Sequence, residues 1–139
     1  MITPEQKLAL LTEAKNALKN PYQLDSTYIY AAAVLTDTGN IYTGTNYFSD
    51  TYSLTLHGEQ AALAHAAAHG EGNIQAIVCT SNEDLAPGEF TAPCHMCKQL
   101  LWESRRRSKI PMQIILLNGH NETKDVWLDD IMQLPWPAL

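Results

Sequence analysis

The chain has 139 residues, with 9 basic and 15 acidic side chains and a formal net charge of −6; this fits one domain of ordinary size and opposes a broad nucleic-acid surface, which needs clustered positive charge. Apolar residues make up 45% and charged residues only 17%, against a usual charged share of about 25%, so disorder is excluded and part of the surface is expected to lie against another subunit. Three cysteines, Cys79, Cys94 and Cys97, no basic-then-apolar leader at Met1 to Pro4 and no apolar run of membrane-spanning length read as a reduced, cytoplasmic chain with no membrane role.

The first element is a helix over residues 4–19. Thr3 is an N-cap candidate, Pro4 suits the first helical position, Gln6 completes a capping box, and Leu8, Leu11, Ala14, Ala17 and Leu18 recur at helical spacing. Asn20 and Pro21 are expected to end it. Residues 28–36 are rich enough in aromatic and β-branched side chains to predict a strand, Asp37 to Asn40 a turn, and residues 41–46 the return arm of a hairpin. An alanine-dense stretch at 57–69 predicts a helix closed by Gly70 in the left-handed conformation.

Residues 74–80 form a short apolar strand, 93–107 a helix carrying Leu100, Leu101 and Trp102, and 112–117 an apolar strand fenced by Pro111 and by Asn118 and Gly119. The tail, 126–139, has room for one short strand and a helical turn before Pro135. A hairpin followed by strand–helix alternation predicts an α/β fold, a three-layer α/β/α sandwich with a mixed sheet, over a single domain spanning residues 1–139.

Two short motifs carry chemistry. His57, Gly58 and Glu59 open one expected helix, and Pro93, Cys94, His95, Met96 and Cys97 open another. Cys94 and Cys97 are three apart and share a helix face, with Pro93 at the first helical position and the helix dipole favouring their thiolates. His57 supplies a third ligand, and three protein ligands leave a tetrahedral zinc one open position for water. Glu59 is two residues from His57, about 200° apart in a regular helix, so both meet one site only if His57 stands at the helix entry. Gly58 permits that backbone and a close substrate approach. A carboxylate outside the ligand set then serves as proton shuttle.

Blander readings stand beside this one. An isolated C-x-x-C suits a redox pair or half of a structural zinc site. His65 and His69, an i, i+4 pair, suit a second metal site or an exposed or interfacial face. Cys79 suits the core, His120 a solvated loop, and Arg105, Arg106 and Arg107 either a nucleic-acid patch or a solvated or subunit-contacting helix end favoured by the dipole.

The order and types of the two motifs match the zinc deaminase signature, H-x-E followed by P-C-x-x-C. From about residue 6 onward the chain resembles the homotetrameric cytidine deaminases. The likeness is carried by the opening helix at 11–15 leading to Tyr22, the hairpin at 31–46, the approach at 52–59, the motif at 93–101 and the acidic, leucine- and proline-bearing tail at 128–135. The resemblance implies a mixed five-stranded sheet, one Zn2+ per subunit, hydrolytic loss of ammonia from an aminopyrimidine-like small molecule, and a homotetramer. It also implies Glu59 as proton shuttle, a base contact from the backbone at Gly58, and the Ala92 carbonyl as acceptor from the departing amine.

Three departures qualify the likeness. His57 stands where tetrameric members generally have Cys, as in the nucleotide and tRNA-adenosine branches, which keeps a nucleotide or polynucleotide deaminase, or a non-catalytic zinc scaffold, as the alternative. Gln60 stands where Arg often follows the Glu; one imidazole and two thiolates make zinc neutral rather than −1, so a nearby cation is not needed. The family's ribose-holding Asn-x-Glu appears as Asn46, Tyr47 and Phe48. Asn46 is kept as a substrate-contact candidate, but Phe48 cannot supply a charge-assisted hydrogen bond of about 1.5–3 kcal/mol. Blasticidin S deaminases resemble this architecture and also carry an aromatic residue near that place, so a modified nucleoside or another amino-heterocycle is expected.

Overall fold

A computed structural model describes residues 1–19 and 28–139; the expected helix end at Asn20 and Pro21, and Tyr22, lie outside the described residues. The elements are α1 (Pro4–Lys19), β1 (Tyr30–Thr36), β2 (Ile41–Thr45), a 3-10 turn (Tyr52–Leu54), α2 (Gly58–Ala68), β3 (Ile74–Ser81), α3 (His95–Ser108), β4 (Gln113–Leu117), β5 (Thr123–Trp127) and α4 (Leu128–Ile131). The sheet runs β2-β1-β3-β4-β5. Among the described strands only β3 and β4 pair in parallel, joined by α3 as a crossover; the other neighbours are antiparallel. It is the expected mixed five-stranded sheet.

Strand periodicity builds the three layers. Ala32 and Val34 of β1, Ile77 and Cys79 of β3, and Ile114 and Leu116 of β4 face one core with Ala62, Ala66, Leu101 and Trp102 of α2 and α3. The alternate residues Ala33, Leu35, Ala76, Val78, Ile115 and Leu117 face the other with Leu10 and Ala14 of α1 and with Ile2 just ahead of it. Both faces of the central strands are therefore apolar, as buried strands require. The capping box of α1 forms, with the Thr3 N–H donating to Gln6 Oε1 at 2.9 Å and the Gln6 N–H donating to Thr3 Oγ1 at 3.1 Å. Its buried stripe differs from the expected one, however: Leu10 is fully buried while Leu8 is 67% exposed.

Two glycines let α2 press onto the sheet. A Cβ at Gly44 would lie 2.3 Å from the Ala62 backbone nitrogen, and one at Gly58 would lie 2.6 Å from the Tyr30 carbonyl oxygen. Gly58 thus meets β1 with the face where a side chain would stand, so its bareness serves helix–sheet packing. The helix closes as expected, with Gly70 at φ +76° and the Glu71 N–H donating to the Ala66 carbonyl at 3.0 Å.

Candidate metal centre and pocket

The three expected ligands converge. His57 is the N-cap of α2 with extended backbone, φ −81° and ψ 157°, which is the helix-entry position needed for Glu59, two residues on, to reach the same site. The His57 N–H donates to Gln60 Oε1 at 2.9 Å, so Gln60 holds the entry in place as half of a capping box. On the other side, Cys94 rather than Pro93 starts α3: it is the N-cap, φ −67° and ψ 170°, and its sulfur accepts from the Cys97 N–H at 3.4 Å. Pro93 therefore lies just outside the helix, and the two cysteines occupy its cap and third position instead of one regular face.

The His57 Nδ1 lies 3.4 Å from Cys94 Sγ and 3.3 Å from Cys97 Sγ, and the three ligand atoms are all within 4.8 Å of one another. Tetrahedral zinc with bonds near 2.0–2.1 Å to nitrogen and 2.3 Å to sulfur separates such atoms by about 3.6 Å, so the residues fit that ion. Electrostatics points the same way. Burial, and then the charge and hydrogen bonding of Glu59, push the Cys97 thiol far up. A cation bound beside Cys97 would counter these effects and favour its thiolate. Among the described residues this is the only cluster of three such groups. His65 and His69 are not joined by a third, and their Nδ1 atoms bond the Thr43 and His65 carbonyls at 2.9 and 3.0 Å.

A cavity of about 440 Å³ adjoins this centre, and His57, Cys94 and Glu59 belong to its wall. Glu59 is 8% exposed. Behind it on β3, Cys79 is buried in the core as expected, its thiol pushed up by burial and by the Glu59 carboxylate. Asn46, Phe48 and Ala92, singled out in the sequence, also line the cavity, whereas Gly58 is absent from its wall. The Asn46 side chain is already engaged: its Oδ1 accepts from the Tyr30 N–H at 3.0 Å, and its Nδ2 donates to the Tyr28 carbonyl at 3.3 Å.

Sequence motifs assigned no role to Tyr30, Thr91 and Glu83, or to Thr55 and Leu56 of the 52–59 approach, and these five complete the wall. Glu83 follows the carboxyl end of β3, where open α/β sheets place ligands, and that rule was the one available signal. Its carboxylate accepts the Tyr30 phenol, and burial followed by this bond raises Tyr30 to about 12.

The remaining candidates have local partners. Arg105 makes a two-pronged bond to Asp129 at 2.9 and 2.8 Å, Arg106 donates to the Ala138 carbonyl at 2.6 Å, and Arg107 lies 3.8 Å from Glu103, so the basic run is a braced helix end. His120 is exposed but bonds the Leu85 carbonyl at 2.9 Å. No helix among the described residues is long and apolar enough to cross a membrane.

The model of a family described as the cytidine and deoxycytidylate deaminase zinc-binding region matches residues 4–113. A cytidine deaminase of Mycobacterium tuberculosis is 32% identical over 90 residues, 65% of this chain and 65% of that protein, so the match spans just under two thirds of that relative. One from Sporosarcina psychrophila is 29% identical over 117 residues, 84% of this chain and 82% of that protein. The crystal structure of a cytidine deaminase from Burkholderia pseudomallei superposes with a TM-score of 0.81 at 26% identity, covering 97% of this chain and 100% of that one.

Proposed function

The chain belongs to the cytidine and deoxycytidylate deaminase family, and from that membership we propose that it is a zinc-dependent hydrolytic deaminase of a free, cytidine-like or modified aminopyrimidine. The observation that carries this reading is the convergence of His57, Cys94 and Cys97 at the wall of a cavity that also holds Glu59. These three residues would hold zinc, one ion per chain, and the metal would supply a Lewis acid that brings a water's pKa toward neutrality.

The chain's own residues do the rest. Glu59, outside the ligand set and largely shielded from solvent, takes the two protons of the attacking water in turn, passing the first to the ring nitrogen and the second to the leaving amine. The Ala92 carbonyl accepts from that amine.

The cavity wall favours a small unphosphorylated substrate over a nucleotide or polynucleotide. Its described residues include two carboxylates, Glu59 and Glu83, and neither Lys nor Arg, whereas recognition of a phosphate calls for a cation. Assembly into a homo-oligomer, a tetramer by resemblance, is supported by apolar side chains left in solvent: Tyr52 at 90%, Leu54 at 66%, Leu134 at 100% and Trp136 at 77% exposed. Light scattering at micromolar concentration tests this, a fully active monomer being the opposing result. The test of the activity is ammonia release over cytosine, cytidine, deoxycytidine, their N4- and C5-modified forms, blasticidin S, guanine and adenosine. Release from at least one pyrimidine, abolished by chelation and restored by zinc, is the expected outcome. Release from oligonucleotides but from no free base or nucleoside would overturn the substrate class.

A further inference from the structure

The cavity wall leaves one strong acceptor for whatever group the substrate carries on its ring nitrogen. Asn46 is committed to the backbone of Tyr28 and Tyr30. Thr55 Oγ1 accepts from the Ser49 N–H at 3.0 Å, and Thr91 Oγ1 is bonded to Ser81 Oγ at 2.8 Å. Phe48 offers only a ring. Glu59 stands beside the metal ligands, in contact with the thiols of Cys79 and Cys97. That leaves Glu83. A carboxylate has about four acceptor sites, and the Tyr30 phenol takes one of them.

Glu83 is also held in position. Its own N–H donates to Ser81 Oγ at 3.3 Å, its carbonyl accepts from the Leu85 N–H at 3.0 Å, and the preceding Asn82 is tied to Ile29 of the strand edge at 2.8 and 3.1 Å. The carboxylate is thus presented by a braced turn at the end of β3.

We propose that Glu83 is the specificity-determining residue of this site, and that it selects an aminopyrimidine whose ring-nitrogen substituent carries a positively charged hydrogen-bond donor. The inference rests on the deaminase reading above. A cation at Glu83 gains a charge-assisted bond to the carboxylate, in a cavity whose wall also carries the Phe48 ring. It also offsets a second negative charge in a pocket that already holds Glu59. A neutral hydroxyl gains less, and a phosphate is repelled.

The experiment compares two cytosines matched in size, N1-(aminopropyl)cytosine and N1-butylcytosine, as substrates of the zinc-loaded wild type and of Glu83→Gln, with kcat and KM measured separately and Tm recorded for each protein. The expected result is a wild-type preference for the amine of about ten- to hundredfold in kcat/KM, residing mainly in KM, that collapses toward unity in Glu83→Gln. Because the ratio is taken within one protein, general damage to the fold cancels. A preference that survives in Glu83→Gln, or a wild type that favours the butyl compound, would overturn the assignment while leaving the deaminase reading intact. If the wild type releases ammonia from neither compound nor from any in the screen, the deaminase reading falls and takes this inference with it.

Discussion

Gly58→Ala probes how the packing of α2 sets the chemistry. The added Cβ would lie 2.6 Å from the Tyr30 carbonyl oxygen, 3.1 Å from its carbon and 3.3 Å from the Ala31 Cα, all backbone of a central strand that cannot swing aside as a flexible side chain would. Reaching an ordinary contact near 3.4 Å takes a retreat of about 0.8 Å. Gly58 lies between His57 and Glu59, so that retreat shifts both relative to Cys94 and Cys97 on α3. Overpacking of this kind costs about 1–3 kcal/mol, which for a chain of this length lowers Tm by about 3–15 °C. A misplacement approaching 1 Å costs up to about a hundredfold in rate, so a loss of about 10- to 100-fold in kcat is expected. Thermal melts and steady-state ammonia release on the zinc-loaded protein measure both. Gly72→Ala is the control, since nothing lies within 4 Å of its Cβ and its φ is not left-handed. If Gly58→Ala melts and turns over like the wild type, the close approach of α2 to β1 is not what positions the site.

Three further outcomes follow from the same geometry. Elemental analysis of freshly purified protein should find about one zinc per chain, lost in each of His57→Ala, Cys94→Ala and Cys97→Ala; full occupancy after Cys97→Ala would contradict the ligand set. Glu59→Gln should retain zinc and lose turnover at the upper end of the roughly 10²–10⁴-fold range of general acid–base catalysis, whereas near-normal turnover would assign the proton transfers to another group. Glu71 is held down to about 2 from 4.5 by hydrogen bonds from Thr38, Tyr42 and Asn40. A carboxylate depressed in the fold stabilises it above its unfolded pKa, and that contribution is lost as pH falls from about 4.5 toward 2. Melts across that window should fall less steeply for Glu71→Gln than for the wild type, and parallel curves would remove Glu71 from the acid limb.

Legibility differed between the layers for physical reasons. The buried strands and α1 could be read because periodicity and capping are local: Thr3 and Gln6 bond each other, and β4 is apolar from Ile114 to Leu117. Strand β5 begins at Thr123, ahead of the tail expected from Val126, because Thr123, Lys124 and Asp125 are exposed edge residues. Their strand character comes from pairing with β4 and leaves no hydrophobic alternation to read. The buried stripe of α1 was misplaced by its own leucines, since which of Leu8, Leu10 and Leu11 turns inward depends on the docking angle against the sheet. At the site, the clustering of His57, Cys94 and Cys97 was visible because metal chemistry restricts residue type and spacing. Glu83 was not, because a carboxylate becomes part of a pocket wall only through the turn that carries it there.

The two departures at the start of α2 make sense as one arrangement. Relatives with Cys in place of His57 often carry Arg after the Glu, and three thiolates give zinc a net charge that such a cation would balance. With zinc on the proposed His57, Cys94 and Cys97 set, one imidazole and two thiolates would leave the centre neutral, and no balancing cation would be called for at position 60. The residue found there, Gln60, instead accepts the His57 N–H at 2.9 Å. That bond helps to keep His57 extended at the helix entry, where its Nδ1 meets both sulfurs while Glu59 reaches the same cavity. A ring needs such orientation more than a thiol does, because it must point one nitrogen rather than a single near-spherical sulfur. Exchanging the charge-balancing residue for an orienting one is therefore what exchanging the ligand requires.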